Sequence, residues 1–285
     1  MHGRHYRVEL PEGEVLHCYP RGKKSELACG DRVALRRSAP DQGAIVSIAD
    51  RTSLIYRSDQ FREKIIAANV TQAVVVLAGK PAFSESLLVR CLVAIESQPV
   101  KPLIVLNKAD LPETAQARQA LALYEQLDYP LIAISANRDI SPLLPKLSGE
   151  TSVLVGQSGM GKSTIVNALV PGAGAAIGEL SEALGSGRHT TTSASLYHLD
   201  AGSHIIDSPG MQSFGLHHLD RAQLVHAFRE FRPHEGRCKF ADCRHRVEPG
   251  CSILAAVKSG RIDARRWQAF SELAAELEGR PPAWA

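Results

Sequence analysis

The chain has 285 residues, 44% of them apolar and 22% charged, and its 33 Lys and Arg against 30 Asp and Glu leave a formal charge of only +3. At ~150 residues per domain this is about two domains of foldable chain, and the balance excludes both a disordered acidic chain and a polybasic tail protein. Apolar runs such as residues 73–78 fall far short of the ~20 residues of a membrane helix, and the amino terminus shows no apolar leader, so a cytoplasmic protein without a membrane segment is expected.

Residues 6–10, 15–18, 32–36, 44–48 and 54–57 read as short, partly alternating strands separated by turn chemistry such as Pro11-Glu12-Gly13 and Cys29-Gly30-Asp31. Five such strands suggest a small barrel. From Gln72 the pattern changes. Apolar strands at 73–78, 103–106, 131–135 and 152–155 alternate with candidate helices at 84–97, 113–127 and 162–169, the signature of a mostly parallel sheet covered on both faces. Beyond about Ser213 the chain reads as helical, interrupted by a cysteine cluster, and a final helical stretch at 261–279 is closed by Pro281 and Pro282.

The strongest local signal is Gly156-Gln157-Ser158-Gly159-Met160-Gly161-Lys162-Ser163, directly after an apolar strand and directly before a helix. It matches the phosphate-binding G-x-x-x-x-G-K-S. Its glycines let backbone N–H groups face an anion, Lys162 brings a positive charge to the outer phosphates, the Ser163 hydroxyl suits Mg²⁺, and Thr164 extends the candidate contacts. Asn107-Lys108-Ala109-Asp110 follows the strand 103–106 as the N-K-x-D of guanine readers. The Asp110 carboxylate can accept from guanine N1–H and the 2-amino group, donors that adenine lacks. Asn107 is expected on the base's Hoogsteen edge and between the loops, with the Lys108 stem along the base plane. Ser135-Ala136, after the next strand, supplies a small-residue loop whose N–H can donate to guanine O6.

Downstream, Asp207-Ser208-Pro209-Gly210 fits D-x-x-G, with Asp207 holding Mg²⁺ through water and the Gly210 N–H sensing the γ-phosphate. Alone it would read as a Ser-Pro-Gly turn. Between it and the phosphate loop, a glycine-rich stretch at 171–187 without helix or strand periodicity leads into Gly187-Arg188-His189-Thr190-Thr191-Thr192, a switch-like segment. One of its three threonines would be the second Mg²⁺ ligand. Spacing does not single one out, and Thr191 stands as the candidate. In ordinary GTPases the phosphate loop precedes N-K-x-D, whereas here it follows both N-K-x-D and S-A. The domain therefore reads as circularly permuted, which places whatever follows D-x-x-G in mechanical connection with the nucleotide state.

With these motifs in this order, and with Gly30-Asp31-Arg32-Val33, Arg51-Thr52-Ser53-Leu54 and the cysteine cluster with Glu248-Pro249-Gly250, the sequence closely resembles the circularly permuted GTPases of the RsgA (YjeQ) family, factors for late maturation of the small ribosomal subunit. The resemblance implies three modules: an OB-fold barrel at 1–62 that binds RNA, a circularly permuted α/β P-loop GTPase domain at 63–213, and a mostly helical zinc-binding domain at 214–285. Cys238-x4-Cys243-x-His245-x5-Cys251 offers three thiolates and one imidazole, a closed structural Zn²⁺ set. His234 is a spare ligand, and the family pattern selects His245. The other cysteines, Cys18, Cys29 and Cys91, are scattered and expected to be buried or idle thiols.

Arg232, Arg237, Lys239, Arg244 and Arg246 rim the cluster, suited to rRNA phosphates. Residues 1–64 and 211–285 each carry 12 basic and 9 acidic side chains, and residues 65–210 carry 9 and 12. This suggests two basic arms around an acidic centre. Where Ras-like proteins place a water-orienting glutamine after D-x-x-G, this chain has Met211, with Gln212 one residue late. The resemblance assigns the catalytic role to His189. It implies a monomer that binds GTP or GDP and the 30S subunit with its 16S rRNA, with hydrolysis stimulated by the subunit. Two competing readings are a zinc-containing RNA-binding protein in which the nucleotide is structural, and an ATP-dependent enzyme with a fortuitous N-K-A-D.

Overall fold

The computed structural model describes residues 5–20, 27–58, 63–174, 194–208, 216 and 219–279. In chain order its strands are β1 (Tyr6–Glu9), β2 (Val15–Pro20), β3 (Val33–Ala39), β4 (Gln42–Ile48), β5 (Leu54–Ser58), β6 (Glu63–Ala68), β7 (Gln72–Ala78), β8 (Lys101–Asn107), β9 (Leu131–Ala133), β10 (Thr151–Val155), β11 (Ser195–His198) and β12 (His204–Asp207). The helices are α1 (Glu85–Glu96), α2 (Thr114–Gln126), α3 (Leu144–Leu147), α4 (Lys162–Leu169), α5 (Arg221–Ala227), α6 (Ser252–Lys258) and α7 (Ala264–Glu278), with 3-10 turns at Ser141–Leu143 and Arg229–His234.

The first four strands form one sheet in the order β1-β2-β4-β3, in which β2 and β4 run parallel and the other pairs antiparallel. Strict alternation in β2 turns Leu16 and Cys18 inward, where they meet Ile45 in a small core of their own. The fifth expected strand, β5, is hydrogen-bonded not to this sheet but to β6, a strand that no turn signal marks in the sequence. The two strands lie on either side of the expected boundary at 62, and their Ile55, Ile66 and Ala67 belong to the large central core.

The central sheet has the order β11-β12-β10-β7-β8-β9, parallel except for the edge strand β11. Every residue of β7 is buried, because both faces of this strand are covered. Ala73, Val75 and Leu77 face a core built with α1, α2 and the carboxyl-terminal helices, while Val74, Val76 and Ala78 face a second core with α4 and the segment around α3. Ser84 caps α1 by accepting from the Leu87 N–H, and Asp220 with Gln223 forms a capping box on α5. These caps explain why both helices start where their apolar periodicity starts.

The carboxyl-terminal helices share the first core with α1, through Phe228, Phe231 and Phe270, which stack and meet edge to face. Around it runs an ionic seam, buried at one end and partly exposed at the other. Arg266 and Glu230, 2% and 5% exposed, pair at 2.6 Å, and the Arg266 guanidinium lies over the Phe228 and Tyr124 rings. Arg229 and Arg232 both grip Glu96 at the end of α1, and Arg229 also donates to the Asp128 carbonyl at 2.7 Å. Removing one member of a buried pair strands the other charge. Arg266→Ala is therefore expected to destabilise the chain by about 3–5 kcal/mol, read as a fall in the thermal midpoint, while Arg118→Ala in the exposed Arg118–Glu125 pair changes it by less than ~1 kcal/mol.

Candidate functional site: a phosphate loop, a base-side loop and a Cys3His cluster

The parallel strands all deliver their loops to one edge of the sheet, the usual position of ligands in open α/β folds. Along the sheet order, β12 leads into Asp207-Ser208, β10 into the phosphate loop, β8 into Asn107-Lys108-Ala109-Asp110 and β9 towards Ser135-Ala136. Motifs far apart in sequence thus line up as phosphate side and base side.

In the phosphate loop, Gly156, Gly159 and Gly161 have φ of +146°, +80° and +92°. A Cβ on Gly156 would lie 2.3 Å from the Val76 carbonyl oxygen, and one on Gly161 would lie 2.4 Å from Asn107 Nδ2, so side chains are excluded at both positions. Helix α4 begins at Lys162 behind the N-cap Gly161, which offers no side-chain cap and leaves the first helical N–H groups facing the loop. Lys162 is buried, and its Nζ donates to the Gly156 and Gln157 carbonyls, both at 2.9 Å. Burial pushes its pKa down to about 8 against the opposing pull of Asp207. A phosphate arriving there would restore the full charge.

Asp207 is buried, and burial raises its carboxyl pKa while Lys162 draws it back. Its Oδ2 lies 3.5 Å from Ser163 Oγ, and its Oδ1 has no hydrogen-bond partner among the described residues. A stranded carboxylate oxygen next to the serine hydroxyl fits a hard cation at this position. Ser208 anchors the strand end, its Oγ donating to the Leu154 carbonyl at 2.5 Å.

On the base side, Asn107 is a strut. Its Nδ2 donates to the Met160 carbonyl at 3.0 Å and its Oδ1 accepts from the Ala136 N–H at 3.1 Å, tying the phosphate loop to the S-A loop. The Ala136 N–H expected for guanine O6 is thus engaged by Asn107 in this structure. Lys108, at φ +60°, donates to the Gly159 and Lys80 carbonyls, both at 2.8 Å, and Ala109 N–H bonds the Ile134 carbonyl. Asp110 is fixed in place: Ser135 Oγ donates to its Oδ1 at 2.6 Å and Arg138 Nε stands 3.5 Å from its Oδ2. The serine hydrogen bond, above all, lowers its pKa, so it is an acceptor at neutral pH.

The sequence reading missed Arg138, and it missed the β7–α1 loop, where the Lys80 carbonyl meets Lys108 and the Ser84 N–H donates to Gln157 Oε1 at 2.7 Å. The signal was topological: the loop after β7 neighbours the phosphate loop because β7 pairs with β10. His189, Thr190, Thr191, Thr192, Gly210, Met211 and Gln212 lie outside the described residues.

Cys238, Cys243, His245 and Cys251 converge, their ligand atoms all within 4.8 Å of one another. His245 Nδ1 is 3.5, 3.5 and 3.4 Å from the three sulfurs, and Cys238 Sγ is 3.9 Å from Cys251 Sγ. Tetrahedral zinc with ordinary bond lengths implies about 3.6 Å for N to S and about 3.8 Å for S to S, so donor set and spacing both fit one closed Zn²⁺ site. His245 adopts φ +60°, and Glu248 braces the loop by accepting from the backbone N–H groups of Arg244, Arg246 and Val247. Trp267 Nε1 donates to the His245 carbonyl at 3.0 Å, joining the cluster to α7. His234 is not among the converging ligands; its carbonyl accepts from Ser252 Oγ. Cys18 and Cys91 are buried and Cys29 partly so.

Strand order and motif order define a class: a P-loop fold in which the base-side motif precedes the phosphate loop. A family model described as RsgA GTPase matches residues 48–217. The small ribosomal subunit biogenesis GTPase RsgA of Nitrosomonas europaea is 52% identical over 285 residues, covering 99% of this chain and 91% of that protein. Its namesake in Nitrosospira multiformis is 53% identical over 276 residues, covering 96% and 88%. Among solved structures, YjeQ from Thermotoga maritima superposes with a TM-score of 0.73 at 30% identity, covering 99% of this chain and 97% of the other. YloQ, described as a circularly permuted GTPase, gives 0.70 at 27% identity, covering 99% and 94%. This chain belongs to the RsgA GTPase family.

Proposed function

We propose that this chain is a cytoplasmic, monomeric GTPase that binds the small (30S) ribosomal subunit through its 16S rRNA, assists late maturation of that subunit, and hydrolyses GTP to GDP and phosphate when the subunit stimulates it. The observation that carries this reading is the convergence of Lys162, Asp207, Asn107 and Asp110 on one sheet edge in the permuted order, in a chain half identical to proteins named for small-subunit biogenesis. The modules are assigned as an OB-fold RNA-binding unit at 1–62, the permuted G domain at 63–213 and a zinc-binding domain at 214–285.

GTP is cradled by residues 156–164 and read by Asp110, with Asn107 keeping base and phosphate loops in register. Its Mg²⁺ would be held by Ser163, Thr191 and, through water, Asp207; when bound it neutralises charge between the outer phosphates. Lys162 leaves the Gly156 and Gln157 carbonyls for those phosphates. Met211 cannot orient water, so His189 takes that role, and a catalytic group on a switch segment gives slow turnover until the subunit orders it. Zn²⁺ on Cys238, Cys243, His245 and Cys251 builds the second RNA-binding arm, with Arg237, Lys239, Arg244 and Arg246 meeting phosphates.

Co-sedimentation with purified small subunits tests the cycle. Chain loaded with a non-hydrolysable GTP analogue is expected to bind at least tenfold more tightly than chain loaded with GDP. Equal affinity in the two states would remove the switch from this reading.

A further inference from the structure

The β11–β12 hairpin has two ends. At one, Ser195 pairs with Asp207, the D-x-x-G aspartate that stands 3.5 Å from Ser163. At the other, His198 and His204 face each other across the ladder, on either side of the turn at 199–203. Their Nδ1 atoms are 2.9 Å apart, with the rings edge to face, and His198 Nε2 is 2.7 Å from Glu9 Oε2 on β1. One set of protons satisfies the whole chain: His204 Nδ1–H donates to His198 Nδ1, and His198 Nε2–H donates to the Glu9 carboxylate. The amino-terminal sheet is thereby fastened to the tip of the hairpin. Between tip and aspartate lie two further ladder pairs, Leu196 with Ile206 and Tyr197 with Ile205, with both isoleucines buried. The span is about 10 Å of hydrogen-bonded strand, so a displacement at the tip is carried to Asp207 rather than absorbed.

We propose that Glu9, His198 and His204 are positioning residues that couple what the amino-terminal sheet binds to the placement of Asp207, and so to the rate of GTP hydrolysis. This rests on the subunit-stimulated GTPase reading above. None of the three touches the nucleotide site. They act through the ladder, transmitting engagement of RNA by the amino-terminal sheet to the phosphate side.

The chain also has a proton limit. With no added proton or with one, a donor faces an acceptor between the two rings; with two, Nδ1–H faces Nδ1–H and the contact opens. The acidic groups facing the pair are Glu9 on β1 and Asp200 in the turn. Burial, and then His198 beside it, hold His204 below the ordinary imidazole range, so the second proton enters only on acidification. Coupling is therefore intact at neutral pH and lost on acidification.

The test uses the full chain with purified small subunits, reading basal turnover, stimulated turnover and subunit binding with a non-hydrolysable GTP analogue. His204→Ala and Glu9→Ala are expected to lower stimulated turnover at least tenfold while basal turnover and subunit binding stay within twofold. His204→Asn places an amide N–H where the Nδ1–H sits, so it should restore stimulation. With no imidazole at position 204, and an amide that can donate to His198 or accept from it, it should also hold stimulation on acidification, where the wild type loses it. Wild-type stimulation in His204→Ala, or His204→Asn behaving like His204→Ala, would overturn the inference alone. A wild-type chain that subunits do not stimulate would overturn the functional reading, and the inference with it.

Discussion

Asp110→Asn is expected to cost guanine nucleotide affinity about 10²–10⁴-fold, because the charge-assisted hydrogen bond from the 2-amino group, worth about 1.5–3 kcal/mol, is replaced by an N–H facing an N–H, and the bond from N1–H loses its charged acceptor. It is expected to gain xanthosine nucleotides. The asparagine Oδ1 still accepts from N1–H, and its Nδ2 meets the xanthine C2 carbonyl where guanine presents an amino group. Ser135 holds Oδ1 of the present carboxylate at 2.6 Å, so the side chain is already oriented and the substitution changes chemistry more than geometry. Competition between labelled GDP and XDP on the purified variant checks this. Unchanged guanine affinity would remove Asp110 as the base reader.

Removal of the metal should have the other large effect. Structural zinc contributes apparent free energies of about 10–16 kcal/mol in zinc-finger peptides, and here the cluster is connected by Trp267 and Phe270 to the core that α1 shares. The purified chain is expected to hold one zinc per chain, and Cys251→Ser to hold less. Prolonged chelation should red-shift Trp267 emission, open the carboxyl-terminal module to protease and lower the thermal midpoint of the nucleotide domain as well. Native emission and an unchanged midpoint in metal-free protein would show that the four side chains converge without needing an ion.

The parts of this molecule legible in the sequence are those where a local pattern meets a local demand. Helix α1 runs between the Ser84 and Ser97 caps that its flanks spelled out, and the phosphate loop lies between β10 and α4 because its glycines occupy backbone conformations other residues avoid. The Cys3His cluster was legible because four soft ligands in fourteen residues have few other uses. What escaped was long-range. Strand β6 carries no turn signal of its own and is defined by pairing with β5, and β11 is an edge strand of four partly exposed residues with little apolar pattern. Arg138 and Lys80 reach the base side only because sheet order brings their loops there. The histidine pair was invisible for the same reason: six residues apart in sequence, His198 and His204 become neighbours only once the hairpin fixes its register. The sequence division after residue 213 likewise gives no hint that the carboxyl-terminal helices complete the core over α1, since that contact depends on where Phe228, Phe231 and Phe270 meet in space.

Hydrolysis of GTP that answers to the small subunit is measured directly by multiple-turnover phosphate release. With purified small subunits, GTP turnover is expected to rise at least tenfold over the chain alone, ATP turnover to stay at background, and His189→Ala to lose the stimulation while still binding GTP. Equal turnover with and without subunits, or ATP hydrolysed as readily as GTP, would contradict a subunit-stimulated GTPase.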